Sequence, residues 1–140
     1  MKEVTLANYK QDKFHGAVTQ AMEAVLEKQG YVSAVDVLLQ MQRITPKQLE
    51  DWRMGRVDYL ERITAGGLGA INRILRLLAF HAHDLNLLPS QTSYRKWGKG
   101  NKGIALRFSR SGEPKLEAAW SRHYVSPKLK QSKKSGNAVE

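Results

Sequence analysis

The sequence contains no cysteine among its 140 residues, which excludes disulfides, thiolate metal sites and cysteine nucleophiles. No apolar run approaches the roughly 18 residues that a membrane-spanning helix needs, and the first ten residues lack the apolar block of a secretory signal. We therefore expect a cytoplasmic protein without a membrane partner. A chain of this length predicts one domain with a single hydrophobic core.

Motifs of catalysis and of metal or nucleotide binding are missing as well. There is no GxSxG, HExxH or GxxxxGK[ST] sequence. His81 and His83 lie two residues apart, and on a helix such side chains diverge by roughly 200°, which disfavours a shared metal ion. The glycine-rich stretch at 65–69 predicts a bend, with a phosphate-cradling loop as the alternative. We expect no enzymatic activity, no cofactor and no metal.

Acidic residues are absent between Leu85 and Gly112, and this absence concentrates the positive charge. Residues 62–112 hold nine basic residues and one acid, whereas residues 1–61 hold eight basic and nine acidic residues. Most of the net charge of +10 thus lies in the central third of the chain. Such a distribution favours a one-sided positive field that attracts a polyanion, and chance clustering on a solvated surface is the alternative.

The stretch 92–110 lies within this basic region and predicts a β-hairpin. Its second half alternates apolar and other residues, so Ile104, Leu106 and Phe108 share one strand face and Arg107 points to the opposite face. Three glycines and an asparagine at 98–103 suit the positive φ angles of a turn.

The hairpin also carries aromatic side chains among its cations, a composition typical of nucleic-acid-binding segments. We expect its cations to contact phosphates and Trp97 or Tyr94 to stack on a base or sugar, although either aromatic ring could instead belong to the core. Arg73 and Arg76 share the exposed stripe of the central helix that precedes the hairpin. They would widen this surface, and the alternative is that they are ordinary surface residues. The candidate nucleic-acid-binding residues are Arg73, Arg76, Tyr94, Arg95, Lys96, Trp97, Lys99, Lys102, Arg107 and Arg110.

Start and stop signals predict the helices around this hairpin. Ser33 with Asp36, and Thr45 with Gln48, each form a capping box, and Pro46 suits the first helical position. Other local signals predict an N-cap at Asp12, helix stops at Gly30 and Gly55, and a turn at 87–90. The apolar spacing predicts a central helix from Leu68 to about Leu85 and a last helix from Pro114 that includes Tyr124.

Two short helices with a tryptophan before a glycine resemble the helix-turn-helix of excisionase-like DNA-binding proteins. The resemblance covers Val32 to Val57 and rests on Leu38, Leu39, Leu49, Trp52 and Gly55. It implies that the second helix enters the DNA major groove, and a purely structural helical pair is the alternative. The stretch from Trp52 to Arg62 is also similar to bacterial proteins of unassigned function, which implies no activity.

Together these patterns predict a mainly α protein with one β-hairpin, an α+β class, as a small helical domain arranged like a winged helix. The domain spans residues 1–125, and residues 126–140 form a disordered basic tail. The predicted function is non-enzymatic binding of nucleic acid, either DNA or RNA. The alternative is a small interaction module or inhibitor that docks an acidic protein partner.

Overall fold

The computed structural model describes residues 8–98 and 103–127 of the chain. Five α-helices and a small antiparallel sheet form one α+β arrangement, which confirms the predicted fold class. In chain order the elements are α1 (His15–Gln29), β1 (Tyr31–Ser33), α2 (Ala34–Gln40), α3 (Pro46–Arg53), α4 (Gly67–Asp84), β2 (Leu88–Gln91), α5 (Pro114–Ser121) and β3 (Arg122–Val125), with 3-10 turns at Tyr9–Gln11 and Leu60–Ile63.

The predicted helix starts at α2 and α3 are confirmed. Ser33 and Asp36 exchange side-chain and backbone hydrogen bonds in a complete capping box, and Thr45 and Gln48 do the same before Pro46. Each box satisfies two backbone N–H groups that a helix start leaves without intrahelical acceptors. These local signals fix where the chain turns into each helix.

The stops at Gly30 and Gly55 are also confirmed, since both residues have left-handed φ angles, of 79° and 81°. The predicted N-cap at Asp12 is wrong, because α1 begins at His15 and its N-cap residue is Phe14, without a side-chain cap. The Asp12 carboxylate instead accepts a hydrogen bond from Phe14 N at 2.9 Å, three residues before the regular helix.

A single hydrophobic core lies between α4 and the elements around it. The inner faces of α1 and α4 pack against each other, α2 packs against α1 and α5, and Phe108 of the hairpin stretch belongs to the same core cluster. The end of α4 departs from the prediction, because Leu85 is 43% exposed and does not reach the core. The largest fully buried side chains are Tyr9, Met22, Leu38, Ile44, Trp52, Leu60, Ile71, Ile74, Leu77, Leu78 and Trp120.

The three-stranded sheet corrects two sequence-based expectations. Residues 88–91 form an edge strand and not a turn, and residues 122–125 form the central strand and not the end of the last helix. The backbone becomes extended at Arg122, and Tyr124 pairs with both Val32 and Pro89. Pro89 is tolerated because it lies in an edge strand. Pairing on both sides therefore overrides the helical spacing of Tyr124.

The bend at 65–69 is confirmed and has a steric cause. Gly66 has φ 114°, and a Cβ placed there would lie 1.9 Å from Arg43 Nη1. The Arg43 guanidinium donates to Ala65 O at 3.1 Å, and Ala65 N donates to Arg43 O at 2.8 Å. Gly66 thus permits the close approach of Arg43 that fixes the start of α4.

At the C-terminal end, Ser126 N donates to Gly30 O at 3.0 Å. The predicted basic tail otherwise lies, from residue 128, outside the described residues. Among the helices in the described ranges, none combines the length and apolarity that a membrane span requires.

Candidate functional site

The predicted hairpin is present in part: residues 94–96 and 104–106 form an isolated antiparallel bridge and not two regular strands. Arg95 pairs with Ala105, Lys96 N donates to Ile104 O at 2.8 Å, and Leu106 N donates to Tyr94 O at 2.9 Å. At the ends of the predicted turn, Gly98 and Gly103 have the expected positive φ angles, of 107° and 90°. Residues 99–102, with Lys99 and Lys102, fall outside the described residues.

The returning arm of the hairpin is fixed to the domain by its backbone. Trp52 Nε1 donates to Arg107 O at 2.8 Å, and Glu61 N donates to Phe108 O at 2.8 Å. From the other side, the Glu117 carboxylate of α5 accepts from Phe108 N at 2.9 Å and from Ser109 N at 2.7 Å. Hydrogen bonds to an ionised acceptor are among the stronger ones in proteins, so this arm is a rigid support.

The apolar face predicted for this arm is only partly buried. Phe108 is 2% exposed and packs between Trp52 and Trp120, and Leu106 is half-buried against the core. Ile104, predicted to share their face, is 47% exposed. Ile104 therefore lies at the surface, outside the part of this arm that the core covers.

Trp97 lies on the outgoing arm of the hairpin and stacks on an arginine of α3. The residue is 47% exposed, and Arg53 Cζ lies 4.6 Å from the ring centroid. Trp97 N also donates to Arg53 O at 2.7 Å, so the strand is attached to the last residue of α3. The tryptophan expected either in the core or at the surface is therefore a surface residue with a cation beneath it.

Arg53 is the residue of this site that the sequence did not identify. Its guanidinium also lies 5.3 Å from the ring centroid of Tyr94, so it contacts two aromatic rings. Burial lowers the pKa of Arg53, and its Nε has no hydrogen-bond partner among the described residues. The only sequence signal for it was its position between Trp52 and Gly55, next to a helix stop.

Tyr94 is not available in the way predicted, because it belongs to the interior of the domain. Its ring lies 5.8 Å from Trp52 and 5.0 Å from Phe108 between centroids. Its hydroxyl donates to Ser33 Oγ at 3.3 Å and lies 2.9 Å from His123 Nε2. Burial raises the pKa of Tyr94. We therefore remove Tyr94 from the stacking candidates and assign it a supporting role beneath Arg53.

Arg73 also departs from its predicted role. It forms an ion pair through Nη2 with Asp12 Oδ2, and the Asp12 side chain is 2% exposed. A buried carboxylate needs a nearby cation, so Arg73 neutralises Asp12 and joins α4 to the start of α1. Arg76 is exposed and borders a groove of about 440 Å³ between α4 and α5, together with Glu113 and Lys115.

The remaining predicted cations of the hairpin lie at or near the surface. Arg95 Nη1 donates to Gly103 O at 2.7 Å, and Arg107 Cζ lies 5.3 Å from the ring centroid of Tyr59. The end of the Lys96 side chain covers Gly55, where a Cβ would lie 2.2 Å from Lys96 Cε. Arg110 is exposed, and its backbone N–H donates to Glu61 Oε1 at 3.3 Å.

These cations differ in their partners from Lys47 of α3 and from Arg56, which follows α3. Lys47 Nζ lies 3.1 Å from Asp51 Oδ1, and Arg56 Nη1 lies 2.8 Å from the same oxygen. The hydrogen bonds from Arg56 and then Lys47 lower the pKa of Asp51. Within the described ranges, in contrast, no carboxylate lies within ion-pair distance of the cations at the hairpin, namely Arg53, Arg95, Lys96, Arg107 and Arg110.

A second cluster of titratable groups lies between the N-terminal turn and α4. The Tyr9 hydroxyl donates to Asp84 Oδ2 and lies 3.4 Å from His81 Nδ1. Burial first, and then Asp84, raises the pKa of Tyr9 to about 12, and burial lowers the pKa of His81. In the part of the chain that the structure describes, no three His, Asp or Glu side chains converge as metal ligands.

Comparison with known proteins does not identify this chain. No family model, no curated protein and no solved structure matches it. The resemblance of α2 and α3 to an excisionase-like helix-turn-helix, and the winged-helix arrangement, therefore stay predictions.

Proposed function

We propose that this protein binds nucleic acid, without catalysing a reaction, through a surface that we call the hairpin face. The hairpin face comprises Arg95, Lys96, Trp97, Arg107 and Arg110 of the hairpin and Arg53 of α3. Lys99 and Lys102 of the turn belong to the same proposal from the sequence. The proposed partner is DNA or RNA, and the proposed location is the cytoplasm.

The observation that supports this proposal most is a set of cations around an exposed tryptophan that have no acidic partner among the described residues. Cations paired with carboxylates, such as Arg56, are already neutralised, whereas those of the hairpin face keep their charge for a ligand. Phosphate contacts by such cations supply most of the affinity of non-specific nucleic-acid binding, through release of condensed counterions.

Support from the rigid part of the domain makes the hairpin face suitable for binding. The Arg107 carbonyl oxygen accepts hydrogen bonds from Trp52 Nε1 and from Leu60 N, which begins the 3-10 turn at Leu60–Ile63. Trp97 N donates a hydrogen bond to Arg53 O. Side chains on a fixed support lose less conformational entropy when they bind. We do not include α3 as a recognition helix, because its Lys47 is paired with Asp51 and only its last residue, Arg53, contributes to the hairpin face.

An acidic protein partner is the second candidate, and the exposure of Ile104 favours it. Ile104 and Trp97 are both 47% exposed, and they lie on adjacent arms of the hairpin among cations. Exposed apolar side chains within a charged rim are typical of protein interfaces.

A titration over a series of salt concentrations tests the proposed function. The parent protein and the variants Arg95→Ala, Lys96→Ala and Arg107→Ala should be titrated with duplex DNA, single-stranded DNA and structured RNA. Each variant should weaken binding similarly for all sequences and reduce the log-log salt slope by about one. Lys47→Ala on α3 is the matched control and should leave both quantities unchanged. If the folded variants bind as tightly as the parent, or the parent binds no nucleic acid at moderate salt, the proposal is wrong.

A further inference from the structure

Trp97, Arg53 and Tyr94 form a layered arrangement on the hairpin face. The guanidinium carbon of Arg53 lies 4.6 Å from the Trp97 ring centroid and 5.3 Å from the Tyr94 ring centroid. Tyr94 is fixed by the core, and Trp97 is fixed through its backbone hydrogen bond to Arg53 O. The outermost layer is therefore an aromatic ring that is both partly exposed and held in position.

We propose that this arrangement is a stacking platform for an unpaired base, so that the nucleic acid bound by the hairpin face is single-stranded or contains an unpaired loop. This inference rests on the proposed function and adds the class of nucleic acid to it. An aromatic side chain can accept the face of any base, because every base has a π surface.

Except at the ends of a duplex, the faces of each paired base are covered by the neighbouring bases in the stack. A base in a duplex reaches Trp97 only after it is flipped out, and flipping costs the free energy of unpairing and unstacking that base. In a single strand or a loop that cost is small, so the same ring selects unpaired bases.

Arg53 contributes to the platform in two ways. Stacked below the indole, it restrains the ring and so reduces the entropy lost when a base binds. Its positive charge, which has no carboxylate partner in the described part of the chain, also attracts the phosphates that flank the stacked base. Lysine would keep the charge but lose the planar group that stacks between the rings.

Intrinsic fluorescence reports directly on Trp97. The chain has three tryptophans, and Trp52 and Trp120 are fully buried whereas Trp97 is 47% exposed. Acrylamide should therefore quench mainly the fluorescence of Trp97. Binding of a ten-nucleotide oligo-dT strand should protect this residue from acrylamide, whereas a duplex of the same length should protect it less.

The decisive experiment compares affinities of Trp97→Ala, Trp97→Phe and Ile104→Ala for the oligo-dT strand and the duplex. Ile104 is the matched control, since it is exposed to the same extent on the adjacent arm but has no ring. Trp97→Ala should weaken single-strand binding by roughly 5- to 150-fold with little change in salt slope, and should affect duplex binding much less. Trp97→Phe should retain most of the affinity, and Ile104→Ala nearly all of it.

Two results would overturn the platform while the proposed function holds. The first is that Trp97→Ala lowers the affinity for the single strand and for the duplex equally. The second is that Ile104→Ala lowers the affinity for the single strand as much as Trp97→Ala does. In both, removal of hairpin charges would still lower affinity. If the parent binds neither oligonucleotide, the proposed function fails together with the platform. Arg53→Lys gives a further check, since it should lower single-strand affinity and increase acrylamide quenching of unbound Trp97.

Discussion

Replacing Arg73 by alanine tests whether this arginine stabilises the fold, in contrast to the cations of the hairpin face, which we propose bind nucleic acid. The change leaves the Asp12 carboxylate, which is 2% exposed, without the guanidinium that pairs with it. Breaking a buried ion pair by removing one partner costs about 3 to 5 kcal/mol. Asp12 Oδ1 still accepts the hydrogen bond from Phe14 N at 2.9 Å, and Arg73 is 22% exposed, so we expect the lower end, about 3 kcal/mol.

The loss should be measured by urea unfolding and by thermal unfolding. For a chain of this size about 3 kcal/mol corresponds to a melting temperature lower by roughly 10 °C. In an Asp12→Asn background, Arg73→Ala should cost less than about 1 kcal/mol, because no buried charge remains to be neutralised. Arg76→Ala, one turn further along α4 and exposed, is the control and should change stability by less than about 0.5 kcal/mol. A stable Arg73→Ala protein with weakened nucleic-acid binding would refute this reasoning and return Arg73 to the interface.

Three further predictions concern stability. Thr45→Ala should cost about 1 kcal/mol in urea unfolding through loss of the α3 cap, and an unchanged midpoint would contradict the capping assignment. Gly66→Ala should cost at least about 1 to 3 kcal/mol, because φ is 114° and Arg43 Nη1 would lie 1.9 Å from the new Cβ, whereas Gly16→Ala, with open space around it, should not destabilise. Burial lowers the pKa of His123 below 6.5, so the unfolded chain binds more protons and stability should fall as the pH decreases from about 6.5 through the folded pKa. His123→Gln should reduce this pH dependence, and an identical pH profile in parent and variant would exclude His123 as its source.

Elements defined by neighbouring residues were predictable from the sequence. The capping boxes at Ser33 and Thr45 depend on residues within three positions of each other, so no tertiary information is needed to find them. The apolar stripe of α4 and the glycine bend before it are also local signals. The hairpin was found because alternation, glycines and charge agree over a single short stretch.

The sheet was not predictable in the same way, because its strands have only three or four residues and pair over long distances. Tyr124 pairs with Val32 and Pro89, and its spacing after Trp120 mimics a helical repeat. A segment this short takes its conformation from its partners more than from its own propensity.

The roles of individual site residues were not predictable either, because they depend on tertiary contacts. Tyr94 and Trp97 are three residues apart in one basic stretch, yet one is partly buried against the core and the other is 47% exposed. Arg53 lies in a helix whose overall charge is balanced, and only the fold brings it beneath Trp97. Composition thus indicated the hairpin, and packing decided which of its side chains are exposed.

The most direct test of the account is an NMR titration that maps where nucleic acid contacts the protein. On addition of a single-stranded oligonucleotide at moderate salt, the amide signals of 53–55, 94–97 and 103–107 and the Trp97 indole signal should shift most. The signals of α1 and of the Asp12–Arg73 ion pair should change little. Absence of shifts with single-stranded DNA, duplex DNA and RNA, or shifts concentrated in the groove between α4 and α5, would contradict the proposal that the hairpin face binds nucleic acid.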